Sequence, residues 1–206
     1  MKNKILIFSG SAGSGKGTVQ TILRKNHPEF RLSISMTTRA PRAGEANGRE
    51  YYFVSREEFL KTLAADGFLE HTEYCGNLYG TPLAPFREMI EKGLAPVLEI
   101  ETDGAGQVME KLADYASVFL SPPDYETLER RLRGRGSETE ESIQNRMHTA
   151  KEEIARSALY QYLVVNPDSH PEEAAEAVYE LFEKGETSSP LWIRDRENFL
   201  RGFCKN

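Results

Sequence analysis

Short apolar runs alternate with amphipathic stretches along this chain. Ile5-Leu6-Ile7-Phe8 is followed by the helical pattern Val19-Gln20-Thr21-Ile22-Leu23, and similar pairs recur downstream. Such alternation marks a parallel sheet covered by helices on both faces. The pattern predicts strands at Lys4 to Phe8, Leu32 to Ser35, Ala95 to Ile100, Ser117 to Leu120 and Tyr162 to Val165. It predicts helices that begin in the loop after the first strand, near Pro85, after Asp103, after Asp124, near Thr139 and at Pro171. The expected class is α/β, with a parallel core sheet flanked by helices.

Two segments break the pattern. In 36–81, Tyr51-Tyr52-Phe53-Val54 and Phe68-Leu69-Glu70 read as short strands of a small inserted sheet, and Ser55 stands three residues before Glu58, the capping-box spacing for a helix start. In 131–154, a glycine-hinged run, Arg131-Leu132-Arg133-Gly134-Arg135-Gly136, re-enters helix at Ser137-Glu138-Thr139-Glu140, so Gly134 and Gly136 let this arm swing. The core is then 1–35, 82–130 and 155–185. A tail, 186–206, holds the single tryptophan, Trp192, and a charged helix-like stretch with Phe199, Leu200 and Phe203. Packing on its own domain or on a second copy would bury these residues, so a monomer and a homodimer are both open.

The loop after the first strand carries the clearest chemistry. Gly10-Ser11-Ala12-Gly13-Ser14-Gly15-Lys16-Gly17-Thr18 lies between strand and helix. Glycines let such a backbone curl so that its N–H groups point inward, the following helix presents its positive end, and Lys16 adds a full charge. The ligand expected is a nucleoside triphosphate. Gly17 stands where the common motif has a Ser or Thr hydroxyl for magnesium, and Thr18 is the nearest substitute.

Arginines form two further groups. Arg39 and Arg42 flank Pro41, a stiff pair beside an aromatic cluster that suits a monophosphate bound bidentately. Arg131, Arg135 and Arg146 are spread over the hinged arm, where a solvated basic face is the plainer alternative. A phosphate loop, two cationic sites and a hinge together describe phosphoryl transfer, which needs positioning, charge neutralisation and exclusion of water.

The 206 residues suit one domain with inserted subdomains, and 39% hydrophobic with 28% charged residues describe a globular protein. A net charge of −6 argues against broad nucleic-acid binding, which requires a basic surface. Cys75 and Cys204, the only cysteines, are too few for a disulfide framework or a zinc cage. No segment reaches the roughly 18 apolar residues of a membrane span or resembles a signal sequence, so no membrane contact and a cytoplasmic location are expected.

The chain resembles the guanylate kinases. The blocks that carry the resemblance are GSAGSGKGT at 10 to 18, SISMTTRAPRAGE at 33 to 45, NGREYYFVSREEF at 47 to 59, FLE at 68 to 70, GNLYGT at 76 to 81, LEIETDGA at 98 to 105 and RLRGRGSETEESIQNRM at 131 to 147. The resemblance implies a core, a lid and a monophosphate-binding region, with Mg-ATP phosphorylating GMP to GDP. It places the ATP phosphates on Lys16 and on the backbone of Ser11, Ala12, Gly13, Ser14, Gly15, Gly17 and Thr18, with Asn166 near the donor base. Arg39, Arg42, Tyr51 and Tyr79 would grip the GMP phosphate, while Ser35, Glu70, Thr81, Glu99 and Glu101 would read or surround guanine. Arg131, Arg135 and Arg146 would steady the transferring phosphoryl.

The base choice has its own physical reason. Guanine presents N1–H and an exocyclic amine side by side, and one carboxylate accepts both; adenine there would leave a buried Glu70 unpaired. Several positions depart from the family. Ser11-Ala12 replaces Pro-Ser, Met36 replaces a small residue, and Glu101 and Asp103 stand where Asp and Gln are usual. The extra methylene at Glu101 would shift a guanine contact, and Asp103 would add negative charge near bound phosphates. A non-catalytic module of the same fold and a kinase of another small phosphorylated acceptor, such as a ribose bisphosphate, are the rival readings.

Overall fold

The computed structural model describes residues 5–134 and 139–204. Its elements run β1 (Ile5–Gly10), α1 (Lys16–Asn26), β2 (Phe30–Leu32), β3 (Met36–Thr37), β4 (Tyr52–Phe53), α2 (Arg56–Ala64), β5 (Phe68–Tyr74), β6 (Asn77–Pro82) and α3 (Leu83–Glu91). They continue with β7 (Ala95–Glu99), α4 (Thr102–Lys111), β8 (Tyr115–Ser121), α5 (Tyr125–Arg133), α6 (Glu140–Ala155), a 3₁₀ turn (Arg156–Leu159), β9 (Tyr162–Val165), α7 (Pro171–Lys184) and α8 (Arg196–Cys204).

The core sheet has the order β2-β7-β1-β8-β9, and every pairing in it is parallel. That is the α/β class expected. Strand β1 is central because it is apolar on both sides: Ile5 and Ile7 pack into the layer of α4, α5 and α6, while Leu6 and Phe8 pack into that of α1 and α7. Strand periodicity of two decides this split. The second predicted strand is shifted. The chain pairs with β7 only from Phe30 to Leu32, and Ser33 to Ser35 leave the sheet toward the cleft described below.

The inserted region forms a second sheet, β4-β3-β6-β5, over a small core of Phe59, Phe68 and Leu78. Helix α2 starts where the capping box places it: the Glu58 N–H donates to Ser55 Oγ at 3.1 Å. Phe59 from this helix stacks on Phe68 at 4.4 Å between ring centroids. The sheet is anchored to the core along β5, where Leu69 is buried, Lys111 Nζ donates to the Leu69 carbonyl at 2.6 Å, and the Gln107 amide brackets the backbone of His71. This anchorage fixes the intervening Glu70 against α4.

The tail folds back on its own core. Leu191 to Ile193 run antiparallel to β9, with Val165 N–H on the Leu191 carbonyl and Ile193 N–H on the Leu163 carbonyl, both at 2.8 Å. Arg196 donates to the carbonyls of Ser157, Tyr160 and Gln161, and Phe203 enters the same apolar cluster as Ile143, Met147 and Ile154 of α6. Phe203→Ala should therefore cost about 3 kcal/mol of unfolding free energy, the scale for deleting a buried aromatic ring. Urea denaturation of the variant beside the parent chain measures it, and a midpoint unchanged from the parent's would show that the tail does not dock.

Candidate active site

The strand-to-helix turn after β1 is a loop whose backbone requires glycine. Gly13 and Gly15 have φ of 77° and 85°, left-handed values that a side chain would strain. Gly15 is the N-cap of α1, and no acidic residue lies in that helix's first turn, so the positive helix end faces the loop undiminished. Lys16 Nζ rests on the carbonyls of Gly10 and, at 3.4 Å, Ser11. Ser11 Oγ and Ser14 Oγ, at the recess over the loop, are buried without a hydrogen-bond partner among the described residues, an arrangement suited to a polar ligand. A recess of about 540 Å³ lies over the loop, lined by residues 11–18, Glu99 and Arg146.

A second recess, about 230 Å³, lies between the two sheets. Ser35, Arg39, Arg42, Tyr51, Glu70, Tyr79, Glu99 and Glu101 all line it, so the structure brings these residues, expected around the acceptor, together. Thr81 stands directly behind them, with its Oγ1 donating to Glu70 Oε1 at 2.7 Å. Glu70 is only 4% exposed. Burial pushes its carboxyl above the ordinary range, against hydrogen bonds from Thr81 that pull it down. Its other oxygen lies where a Cβ at position 104 would come within 2.6 Å, so only Gly104 permits this approach.

Arg39 stands with its guanidinium carbon 5.4 Å from the ring centre of Tyr51 and 5.7 Å from that of Phe53, and Tyr51 meets Tyr79 edge-to-face at 6.0 Å. The guanidinium fork is held by Glu45 at 2.9 and 3.0 Å, and Glu45 also accepts the Arg42 N–H at 2.7 Å. These donors hold the Glu45 carboxyl below its ordinary range. A bound phosphate would take over this same bidentate geometry. Glu45, three residues after Arg42, escaped the sequence reading although the spacing of a local carboxylate clamp was present in it.

The two recesses meet. A third space, lined by Lys16, Gln20, Ser35, Tyr51, Glu99, Glu101 and Glu153 among others, connects them, and Glu99 borders all three. The Glu99 carboxylate accepts a hydrogen bond from Gln20 Nε2, tying the end of β7 to α1.

Arg131 and Asn166 sit differently from the expectation. Arg131 lies on α5, beside the buried Leu128 and Leu132, rather than on a mobile arm. Its guanidinium braces the loop from below, on the carbonyls of Gly13 at 3.0 Å and Asn166 at 2.8 Å and on Asp168 at 2.8 Å. Asn166 is buried, with Nδ2 on the Ser14 carbonyl at 2.8 Å, so it supports the loop instead of facing an open base site. Gly134 ends α5 in the right-handed conformation. Arg135 and Gly136 lie outside the described residues. Thr18 is exposed at the mouth of the loop recess. The negative charge expected from Asp103 is met by Arg156, 2.6 Å away. Fifty-three residues separate that pair, and no local signal announces it.

A guanylate kinase family model matches residues 2–185. The chain belongs to the guanylate kinase family. It is 49% identical over 165 residues to a guanylate kinase of Streptococcus thermophilus, covering 80% of this chain and 79% of that protein. To a guanylate kinase of Synechococcus it is 46% identical over 162 residues, covering 79% and 85%. The crystal structure of guanylate kinase from Anaplasma phagocytophilum superposes with a TM-score of 0.70 at 31% identity, over 96% of this chain and 94% of that one. The tail from residue 186 lies beyond the family match. No helix of the described residues is long and apolar enough to cross a membrane.

Proposed function

We propose that this chain transfers the γ-phosphoryl group of ATP to GMP or dGMP, giving ADP and GDP or dGDP, in the cytoplasm. The observation that carries the reading is one continuous cleft with a phosphate loop at one end and the buried carboxylate of Glu70 at the other, joined at Glu99. Loop amides and Lys16 take the donor phosphates, Arg39, Arg42, Tyr51 and Tyr79 take the acceptor phosphate, and Glu70 accepts guanine N1–H and the amine. Thr81 occupies one Glu70 oxygen from behind, which orients the carboxylate toward the base. Arg146, bordering the loop recess from α6, supplies positive charge as the phosphoryl group moves. In this reading 36–81 and 139–155 are the moving parts, which close over both nucleotides and exclude water.

Magnesium suits this donor set only as a phosphate-held ion. Among the described residues no cluster of three or more acidic, His or Cys side chains is placed to cage a metal. Mg²⁺ commonly keeps several waters and binds through substrate phosphates with one or two protein oxygens, and Glu99 and Thr18 at the loop recess would supply these. When bound, it neutralises charge on the transferring phosphates.

A non-catalytic module would not need Lys16 and Arg146 at one loop, and a sugar-phosphate kinase would not need a buried Glu70. Measuring ADP release with a panel of monophosphates tests the reading: GMP and dGMP should turn over, and AMP, CMP and UMP should be worse by at least about 10³ in kcat/KM. Equal turnover of AMP would refute it. Arg42→Ala should raise the KM for GMP about tenfold or more while leaving that for ATP nearly unchanged, because the side chain lines the acceptor recess and not the loop recess. A steady-state titration of each substrate distinguishes this from an effect on ATP alone, which would move Arg42 out of the acceptor site.

A further inference from the structure

Glu153 has no part in the roles assigned so far, yet its position is costly. It lies in the last turn of α6, near the negative end of the helix dipole, where a carboxylate is disfavoured. Its side chain is half-buried, and that burial pushes its carboxyl above the ordinary range, with the charge of Glu101 adding to the rise. Three groups oppose these penalties: Lys16 and the Ala12 N–H, both of the phosphate loop, and more weakly Arg156. The Ala12 N–H donates to Glu153 Oε2 at 3.3 Å, and the Lys16 ammonium, which lines the same space, draws the carboxyl back down. A helical residue that violates dipole, desolvation and like-charge preferences together is expected where function requires it.

Arg146 and Glu153 are seven residues apart, two turns of one helix, and so share a face. That face is turned to the loop at both levels, since Arg146 borders the loop recess and Glu153 touches Ala12. Helix α6 therefore offers the loop a cation for phosphate and, nearer its base, an anion for Lys16.

We propose that Glu153 is a positioning residue for Lys16: its negative charge, carried on the lid helix, holds the loop lysine in the orientation from which it meets the donor phosphates. The assignment rests on the phosphotransferase reading above. It explains why a carboxylate is tolerated so near a site for anions. With Lys16 resting on the loop carbonyls of Gly10 and Ser11, a countercharge on the cleft side directs the ammonium outward, and because that countercharge sits on α6, the orientation is coupled to the helix that also delivers Arg146.

Glu153→Gln separates charge from shape, since the amide oxygen still accepts from Ala12 N–H. Expected is a fall of at least about tenfold in kcat, a KM for GMP within about twofold of the parent's, and a melting temperature equal to or above it, because a half-buried charge is removed. Glu153→Ala should lose kcat to the same degree. A structural role predicts the opposite pattern, with Gln rescuing activity and Ala lowering the melting temperature. Glu153→Gln with kcat within twofold of the parent's, or with stability and activity falling together, would overturn the proposal. The parent protein is assayed in parallel with Mg-ATP and GMP. Inactivity of the parent would instead overturn the functional reading on which the proposal rests.

Discussion

Lys16→Ala is expected to reduce kcat with Mg-ATP and GMP by about 10²–10³, or ~3–4 kcal/mol of transition-state stabilisation, the scale of removing one preorganised electrostatic donor. The loop itself should survive. Its shape is set by the left-handed backbone at Gly13 and Gly15, by Asn166 beneath Ser14 and by Arg131 on the Gly13 carbonyl, none of which involves the lysine side chain. Lys16 contributes hydrogen bonds to the carbonyls of Gly10 and Ser11, which water can replace at this half-buried position, and a countercharge to Glu153. The variant should thus melt close to the parent while losing turnover, and single-turnover kinetics with ATP bound in excess would isolate the chemical step. A kcat within a few-fold of the parent's would mean that the loop amides and arginines suffice, and that Lys16 is not the cation meeting the donor phosphates.

Most parts of this site that follow from local sequence were legible, and the partners made by long-range contact were not. Strand β9 spans Tyr162–Val165 as its apolar run indicates, and the Ser55 cap fixes the start of α2. Strands β3 and β6 were not recognised as strands. Asn77–Pro82 has Gly80 and Pro82 in place of β-branched residues, and it is a strand because β5 pairs with it from Phe68 to Tyr74. The second strand ends early because, after Leu32, the chain must turn to bring Ser35 into the cleft. The residues that the motif blocks single out for the acceptor lie around one recess. Glu45, Arg156 and Glu153 were missed as partners of Arg39, Asp103 and Lys16. For Arg156 and Glu153 the information is spread over more than fifty residues; for Glu45 it lay in the very block that contains Arg39. A motif shows which group meets a ligand more readily than it shows which group holds that one in place.

Removing the carboxylate at position 70 should separate activity from stability in opposite directions. Glu70→Ala is expected to cost GMP about 10³ in kcat/KM, since two guanine donors would be buried without an acceptor. Glu70→Gln should be as damaging, because its amide N–H₂ meets the guanine donors with further donors, although its oxygen can still accept from Thr81 Oγ1. Folding responds differently. Burial raises the folded-state pKa of Glu70 above its unfolded value, so the stability this group contributes is fully present below the unfolded pKa and declines as pH rises through the folded one. Glu70→Gln stays neutral throughout. Its melting temperature relative to the parent should therefore climb across that pH window and level off above it, which a series of thermal melts from acid to neutral pH would record. A variant that keeps GMP turnover would remove guanine recognition from Glu70, and a melting difference independent of pH would show that the carboxylate is not under strain from burial. With both effects observed, the protein holds a destabilising charge in its interior because guanine, and no other base, satisfies it.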